Sequence, residues 1–425
     1  MALGAAGRGE YELAHDLAWR AVQTGPKNDP ALMFLLARAQ VLSGRPHDAL
    51  VMLQRLAGKG VAESAITDPD FQRTRELPGW PTVEAALAGA AVAPSPVAPV
   101  AAAAAAPSPK PEPAAASAAP PVAPTVRTVL PPPVEPAPAG EATHFSTGRF
   151  RPAGLAFDAV SQRFVIGDAL ARKLIVVGIG TGHADDMVRA ESAGFDDVAA
   201  LGIDTQRGDL WVASAAEASG TSSLHRLQLV SGRPLKTYPV PSSLGPARVV
   251  DLAIQPSGSV IVLDAAGNRL LTLARGAADI AGALELKITG VKSIASAGTE
   301  NIVFIAHDKG IARVDVKARS VAALSGPKDL DLSGFDSIRA HRDSIVGLRT
   351  SSDGQRQLVR LKLNGAGRSV REAAVIDQQI VEGDGRVVLN ITGDELYYLV
   401  IAGAPTGTGT EAPAEPFVIR KLTLR

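Results

Sequence analysis

The chain has 425 residues, more than one hydrophobic core usually serves, so two or more domains are expected. Lysine plus arginine and aspartate plus glutamate number 43 each, and a formal net charge of zero argues against a dedicated binder of nucleic acid or anionic lipid. The absence of cysteine excludes disulfides, thiolate metal sites and a cysteine nucleophile.

The first 87 residues are predicted to form paired helices. Small and apolar residues share one face of a helix that follows Gly9 and ends before Pro26, and a second helix pair is predicted from Asn28 onward, broken at Gly44. The offset from Gly9 to Gly44 is 35 residues, close to a repeat of about 34. The following positions carry the repeat: Gly9, Tyr11, Ala14, Ala18, Ala21, Pro26, and then Ala37, Gly44, Ala49, Leu53 and Leu56.

This pattern resembles the tetratricopeptide repeat, and the resemblance implies a concave helical face that binds a protein or peptide. One and a half repeats are present in residues 1–87, with a possible closing helix at 68–87. Stacked helix pairs need about three repeats to be stable, so we expect either that the sequence starts inside a longer protein or that a partner covers the open end.

Residues 88–142 consist almost entirely of alanine, proline, valine and serine, which predicts a disordered linker. At about 3.1 Å per residue such a spacer reaches up to roughly 160 Å, and we expect it to tether two separate bodies. The low-polarity run from Ala85 to Ala106 is interrupted by prolines, so no membrane span is predicted. As written, the sequence predicts a soluble cytoplasmic protein, or a periplasmic or extracellular one if an N-terminal signal has been lost.

Residues 143–425 contain six imperfect copies of a unit of short apolar strands and turns, first seen in 152–177. The inner strands end at Asp158, Asp204, Gln255, Ala297, His341 and Thr392, so the unit recurs every 42 to 51 residues. Four strands in each such interval predict an all-β propeller of six blades. Because closing the ring removes exposed sheet edges, residues 143–150 are predicted to supply the outer strand of the sixth blade. An alternative division takes 379–383 as the sixth inner strand. A ring of seven blades and an unclosed arrangement of blades are further alternatives.

Two family resemblances follow from these repeats. The stretch from Asp264 to Leu270 resembles a turn of NHL-repeat propellers, and Asp168 with Arg172 is a looser version. We expect the aspartate of this turn to hold the hairpin by accepting backbone amides and pairing with the arginine. The whole unit resembles the six-bladed senescence marker protein and gluconolactonase family, which implies a lactonase with a divalent cation at the channel mouth. The alignment puts Ala153 where that family has its glutamate, and the Pro-Asn-Gly element is absent. No metal, cofactor or catalytic residue is therefore predicted, although a divalent cation stays possible.

The positions that open the inner strands should face the channel mouth. Polar residues there are confined to one side, which gives a candidate binding set of Asp197, Asp251, Lys292, Ser293, Asp336 and Ser337. Buried charges usually need partners, so a satisfied ion-pair cluster is favoured over a free binding site, and both interpretations stay open.

The leading hypothesis is a non-catalytic interaction protein. The helices would bind one protein or peptide, and the propeller mouth would bind another partner or a small molecule, across a flexible tether. The alternatives are a lactonase-like hydrolase with a divergent site around Asp251, Lys292 and Asp336, and the ligand-sensing domain of a larger envelope protein.

Overall fold

The computed structural model describes residues 1–26, 28–88, 139–148, 150–180, 182–328, 330–378, 387–401 and 415–424. The N-terminal part, called the helical segment below, is residues 1–88. Its helices are α1 Ala2–Gly7, α2 Tyr11–Thr24, α3 Pro30–Leu42, α4 Pro46–Leu56, α5 Gln72–Arg75 and α6 Trp80–Leu87, with 3₁₀ turns at Glu63–Ile66 and Pro69–Phe71. Asp29 caps α3 by accepting the Ala31 and Leu32 amides, and Pro30 occupies the first turn.

The two predicted turns, at Gly9 and Gly44, lie between helices in the structure. Gly44 lies between α3 and α4 with a φ of +79°, a left-handed conformation that glycine adopts without strain. The short helices α1 to α6 do not by themselves identify a tetratricopeptide repeat, and that resemblance stays a prediction. Within the described residues no helix is long and apolar enough to cross a membrane.

The C-terminal part is a six-bladed β-propeller of four-stranded antiparallel blades, as predicted. Strand β1 is Gly140–Thr147. Blade 1 has β2 Pro152–Asp158, β3 Arg163–Asp168, β4 Lys173–Gly178 and β5 Ala184–Val188; blade 2 has β6 Asp197–Asp204, β7 Asp209–Ala216, β8 Thr221–Gln228 and β9 Pro234–Pro239. Blade 3 has β10 Val249–Ile254, β11 Val260–Asp264, β12 Arg269–Leu273 and β13 Ala281–Glu285.

The remaining blades complete the ring. Blade 4 has β14 Ser293–Ser296, β15 Ile302–His307, β16 Gly310–Asp315 and β17 Ser320–Ala323; blade 5 has β18 Phe335–His341, β19 Ser344–Thr350, β20 Arg356–Leu363 and β21 Val370–Asp377. Blade 6 has β22 Val388–Thr392, β23 Glu395–Ile401 and β24 Glu415–Thr423, with β1 as its outer strand. Each inner strand contacts the inner strands of both neighbouring blades, including β22 against β2, so the ring is closed.

The predicted closure of the ring is confirmed. Strand β1 pairs antiparallel with β24, with Phe145 opposite Phe417 and Thr143 opposite Ile419. The Phe145 and Phe417 rings stack at 5.4 Å between centroids, and Phe150 packs edge-on against Phe417 at 5.2 Å. An aromatic cluster therefore joins the two ends of the propeller chain.

The chosen division of the repeats is also confirmed, because β22 is the inner strand of blade 6. Residues 379–383, the alternative inner strand, lie outside the described residues. So do residues 89–138 of the predicted linker.

The helical segment packs directly on the propeller. The propeller has a mouth face, where the inner strands begin, and an opposite face, where they end; the helical segment covers part of the latter, which we call the covered face. Trp19 is buried there, and its indole Nε1 donates to the Thr205 carbonyl at 2.7 Å. One hydrophobic core includes residues of both bodies, among them Leu56 and Val230. This arrangement differs from the expected tethering of two bodies held apart.

The interface also contains polar contacts. Asp48 Oδ1 accepts the Ser231 amide at 3.0 Å, and Arg55 Nη2 donates to the Ser161 carbonyl at 3.4 Å. A φ of +70° at Gly208 lets the chain turn beneath the Trp19 ring, where an added Cβ would lie 3.0 Å from ring atoms. Blades 1 and 2 thus share apolar and polar contacts with the helices.

Candidate functional site

The residues predicted at the channel mouth lie where the inner strands begin, on the mouth face. Four of the six inner strands have an irregular register near that end: β2, β6, β10 and β18. Such bulges redirect side chains at the end of a strand. In β2 the irregularity includes Ala153 and Gly154, and an added Cβ at Gly154 would lie 2.9 Å from Leu201 of the next blade. Blade 1 therefore places small residues, packed against blade 2, at the mouth.

Asp251 is the centre of a polar cluster on this face. Its side chain is buried, and its Oδ2 accepts the Ser293 hydroxyl at 2.6 Å, the Ile294 amide at 3.0 Å and Arg339 Nη1 at 3.1 Å. Its Oδ1 accepts the amide of Leu252 at 2.9 Å. Both carboxylate oxygens are therefore occupied by protein donors.

Ser293 extends this cluster across three blades. Its hydroxyl donates to Asp251 of blade 3 and accepts the Ile338 amide of blade 5 at 3.1 Å. Arg339 also donates to the Ile338 carbonyl at 2.7 Å. We call Asp251, Ser293 and Arg339 the interblade cluster, since each comes from a different inner strand.

The other predicted residues form separate groups. Lys292 Nζ contacts Asp336 Oδ1 at 3.0 Å, and both side chains are about two-fifths exposed. Asp197 pairs with Arg172 at 3.0 Å, also at the surface. Ser337 is half-buried on β18, opposite Leu348 of β19. The structure therefore brings Asp251 and Ser293 together and places Lys292 with Asp336, while Asp197 forms a third group.

Arg339 is the residue that the sequence analysis missed. It lies three residues after Asp336 on β18, farther along the strand than the two positions that open it. The irregular register between Phe335 and Ser337 shifts the strand, so a residue farther along it reaches the mouth. A signal existed in the sequence, because an arginine on a predicted inner strand requires a buried acceptor.

The chemistry of the interblade cluster is that of a structural ion pair. Asp251 accepts from the Ser293 hydroxyl, two backbone amides and a guanidinium, so each of its oxygens already has a protein donor. Among the residues the structure describes, no group of three or more histidine, aspartate or glutamate side chains is placed to hold a metal ion. The favoured interpretation of a satisfied cluster fits these contacts.

The turn from Asp264 to Leu270 has the predicted structural role. Asp264 Oδ1 accepts the amides of Arg248, Ala266 and Gly267 at 2.8 to 3.1 Å, while Oδ2 accepts Arg269 Nε at 2.8 Å. In the looser copy Asp168 accepts three backbone amides in the same way, but Arg172 pairs with Asp197 of blade 2 instead.

A second candidate site lies on the helical segment. A groove of about 300 Å³ runs between α1 and α3, with α2 at its edge; we call it the helical groove. Leu3 is 61% exposed and Tyr11 is 43% exposed at this groove. Arg38 and Asp70, paired at 2.6 Å, add the charged part of the lining. The full lining is Ala2, Leu3, Ala6, Gly7, Tyr11, Ala14, Leu35, Arg38, Ala39, Leu42 and Asp70.

No protein-family model and no curated protein matches this sequence. Similar solved structures include an aldose sugar dehydrogenase of Streptomyces coelicolor in its PQQ-bound form, at 13% identity over 68% of this chain and 99% of that one, with a TM-score of 0.45. Virginiamycin B lyase of Staphylococcus aureus is 15% identical, and the match covers 66% of this chain and 99% of that one with a TM-score of 0.41. Regucalcin, a calcium-binding protein of Agrobacterium tumefaciens, is 16% identical, and the match covers 66% of this chain and 93% of that one with a TM-score of 0.42. Likenesses this low assign no chemistry to the present chain.

Proposed function

We propose that this chain is a non-catalytic interaction protein whose helical groove binds a segment of a partner protein. The segment would insert large apolar side chains between α1 and α3 and place an acidic residue beside Arg38. The propeller then acts as the rigid base on which the helical segment is mounted.

The observation that carries this proposal is the distribution of exposed apolar side chains. Seven large hydrophobic residues of the described part are exposed, and four of them lie within the first thirteen residues: Met1, Leu3, Tyr11 and Leu13. Exposed apolar residues that share one groove are typical of an interaction surface, whereas single exposed residues are ordinary. Leu3 and Tyr11 line the same groove, so they can contact one ligand together.

The charge of Arg38 in the helical groove indicates which kind of partner segment would bind there. The Arg38 side chain remains 40% exposed while its Nε contacts Asp70. A guanidinium has five N–H donors, so one contact leaves capacity for a partner carboxylate. An amphipathic segment with leucine-type anchors and an adjacent glutamate or aspartate would complement both parts of the groove.

The mouth face is proposed as a second, polar interaction surface. Its exposed ion pairs, Lys292 with Asp336 and Arg172 with Asp197, lie on the same face as the buried interblade cluster, and we call them the rim. Exposed charges at a rim contribute to partner selection and association rate more than to affinity. A partner protein or a small polar ligand fits such a surface.

Cross-linking tests the helical groove. A photoreactive amino acid replaces Leu3 in the full chain, and the same substitution at Leu235, an exposed leucine of blade 2, is the matched control. We expect one partner segment to be cross-linked at position 3 and absent at 235. Its affinity, measured by fluorescence polarisation, should fall about tenfold or more in Leu3→Asp and stay unchanged in Leu235→Asp. Equal products from both positions, or full affinity of Leu3→Asp, would contradict the proposal.

The hydrolase alternative makes a different prediction for the same protein. If the interblade cluster holds a catalytic cation, calcium, zinc or manganese should bind the full chain with one-to-one stoichiometry in calorimetry, and Asp251→Ala should abolish the binding. Our proposal predicts no such site, because Asp251 is occupied by Arg339 and Ser293. Stoichiometric binding together with turnover of a lactone would replace the non-catalytic interpretation by the hydrolase one.

A further inference from the structure

The helical groove between α1 and α3 has space for side chains from outside this chain. Five of its lining residues are small: Ala2, Ala6, Gly7, Ala14 and Ala39. An added Cβ at Gly7 would have no neighbour within 4 Å among the residues that the structure describes. A volume of about 300 Å³ is at the lower end of ligand pockets, so the groove holds a few side chains and not a whole helix.

Large exposed side chains lie at the edge of the same groove. Leu3 and Tyr11 both line it, yet both are exposed. One surface therefore has an apolar recess and, beside it, apolar side chains of the kind that such a recess takes. Two copies of a surface like this can meet about a two-fold axis, with Leu3 of each copy in the groove of the other.

The charges at this end of the helical segment allow the surface to meet its own copy. Arg8 pairs with Glu10 at 2.7 Å, and Arg38 pairs with Asp70 at 2.6 Å. A patch with a net charge would repel an identical patch, whereas a balanced one can exchange its pairings with a second copy. The whole chain has a formal net charge of zero, so no long-range repulsion keeps two copies apart.

We propose that the partner of the helical groove is a second copy of this chain, bound about a two-fold axis. This inference rests on the proposed function, because it names the partner of the same site. The chain itself has the segment that the groove requires, with a leucine anchor at Leu3 and a glutamate at Glu10 whose side chain is 44% exposed. In the dimer Leu3 of one copy enters the other groove, and Glu10 lies beside Arg38 of the other copy.

The two-fold arrangement limits the assembly to two copies. Each copy uses its groove and its Leu3 in the same contact, so no exposed groove is left for a third copy. One groove on each side is a small contact, and small interfaces are typical of weak complexes. We therefore expect a dissociation constant of about 1–100 µM.

Sedimentation equilibrium of the full chain at about 1 to 200 µM tests this inference. We expect a monomer–dimer equilibrium without larger species. Leu3→Asp should raise the dissociation constant about tenfold or more, because a charge would enter an apolar recess. Leu235→Asp, the same change at an exposed leucine of blade 2, should leave it unchanged. A monomer at every concentration, or equal dissociation constants for Leu3→Asp and the wild type, overturns the inference.

Exchanging charges tests the two-fold pairing. Arg38→Glu brings two carboxylates together at each contact with Glu10, and Glu10→Arg brings two cations together, so each variant alone should dimerise about tenfold more weakly. In an equimolar mixture both contacts again join opposite charges, and a heterodimer should form with about the wild-type affinity. Lys362→Glu, which reverses a cation paired with Glu372 on blade 5, is the control and should dimerise as the wild type does. Weakened variants that mixing does not restore overturn the two-fold pairing.

Cross-linking at position 3 separates this inference from the proposed function. If the partner is a second copy, the purified chain alone should give a product of twice its mass that joins position 3 to the groove of another copy. If it gives no such product, but a different protein is joined there and binds with an affinity that Leu3→Asp lowers, the proposed function holds and this inference is overturned. If neither product forms, both are overturned.

Discussion

The two faces of the propeller use the same kinds of residue in different ways. On the mouth face, Asp251, Ser293 and Arg339 connect three blades to each other, and their hydrogen bonds remain within the ring. On the covered face, Asp48 and Trp19 connect the ring to the helical segment. Polar groups that satisfy one another stabilise the fold, whereas groups shared between two bodies decide how those bodies are arranged.

The mouth and the helical segment also differ in the surfaces that they offer to a ligand or partner. At the channel mouth, the buried carboxylate of Asp251 is paired with Arg339. The helical segment contains the exposed apolar groove, and a cavity of about 220 Å³ lies between this segment and blades 2 and 3. Our proposal therefore assigns partner binding to the helices first and to the channel mouth second.

The largest expected effect comes from removing Trp19 from the covered face. Trp19→Ala deletes a fully buried side chain and its hydrogen bond to Thr205, which should cost about 3–5 kcal/mol of the free energy that holds the helical segment on the propeller. We expect limited proteolysis to release residues 1–88 from the variant while the propeller resists cleavage.

Trp19→Phe is the matched control, since it keeps a ring at Gly208 and loses the indole hydrogen bond and part of the buried ring, for a smaller cost of about 1–2 kcal/mol. If Trp19→Ala leaves the proteolysis pattern of the wild type unchanged, the packing on the covered face does not hold the helices in place.

Much of the propeller follows from local sequence. Strands alternate with turns that can be recognised from their residue types. At Asp264, for example, the aspartate accepts successive amides of its own turn. Inner strands end where predicted, at Asp158, Asp204, His341 and Thr392. Closure by residues 143–147 could be predicted because an unpaired edge is unfavourable whatever the side chains are.

The packing of the helices on the ring could not be predicted in this way. The contact of Trp19 with Thr205 joins positions 186 residues apart, and no periodicity encodes such a pair. Arg339 was missed for a related reason, because an irregular register in β18 changes which residue reaches the mouth. Sequence patterns specify elements and their order, while contacts between distant elements depend on packing that those patterns do not contain.

Breaking the interblade cluster should have the next largest effect. Asp251→Ala leaves the Arg339 guanidinium mostly buried without its carboxylate and removes the acceptor of the Ser293 hydroxyl, for an expected cost of about 3 kcal/mol. Urea unfolding of the propeller measures this, with Asp197→Ala, an exposed partner of Arg172, as the control that should cost less than about 1 kcal/mol. Equal stabilities of the two variants would show that the cluster does not join the blades.

The covered face should also respond to pH through Asp48. Burial raises the pKa of Asp48 to about 6, although the Ser231 hydrogen bonds and the charges of Arg45 and Arg163 oppose the rise. The native state therefore binds the proton more tightly than the unfolded state, so stability is lost as pH rises from the unfolded value of 3.8 through about 6. Relative to Asp48→Asn, the wild type should lose about 2–3 kcal/mol over that range. Parallel pH profiles of urea unfolding for the two proteins would contradict this expectation.

The smallest effect is expected for Asp336 on the mouth face. Its contacts are Lys292 at 3.0 Å and the Thr350 hydroxyl at 3.2 Å, and its side chain is 43% exposed, so solvent screens the ion pair. Asp336→Ala should change the free energy of unfolding by less than about 1 kcal/mol. Because the proposed second partner meets this rim, the variant should instead alter the association rate and its salt dependence in surface plasmon resonance. A loss of stability as large as that of Asp251→Ala would place Asp336 within the structural cluster and remove it from the proposed interaction surface.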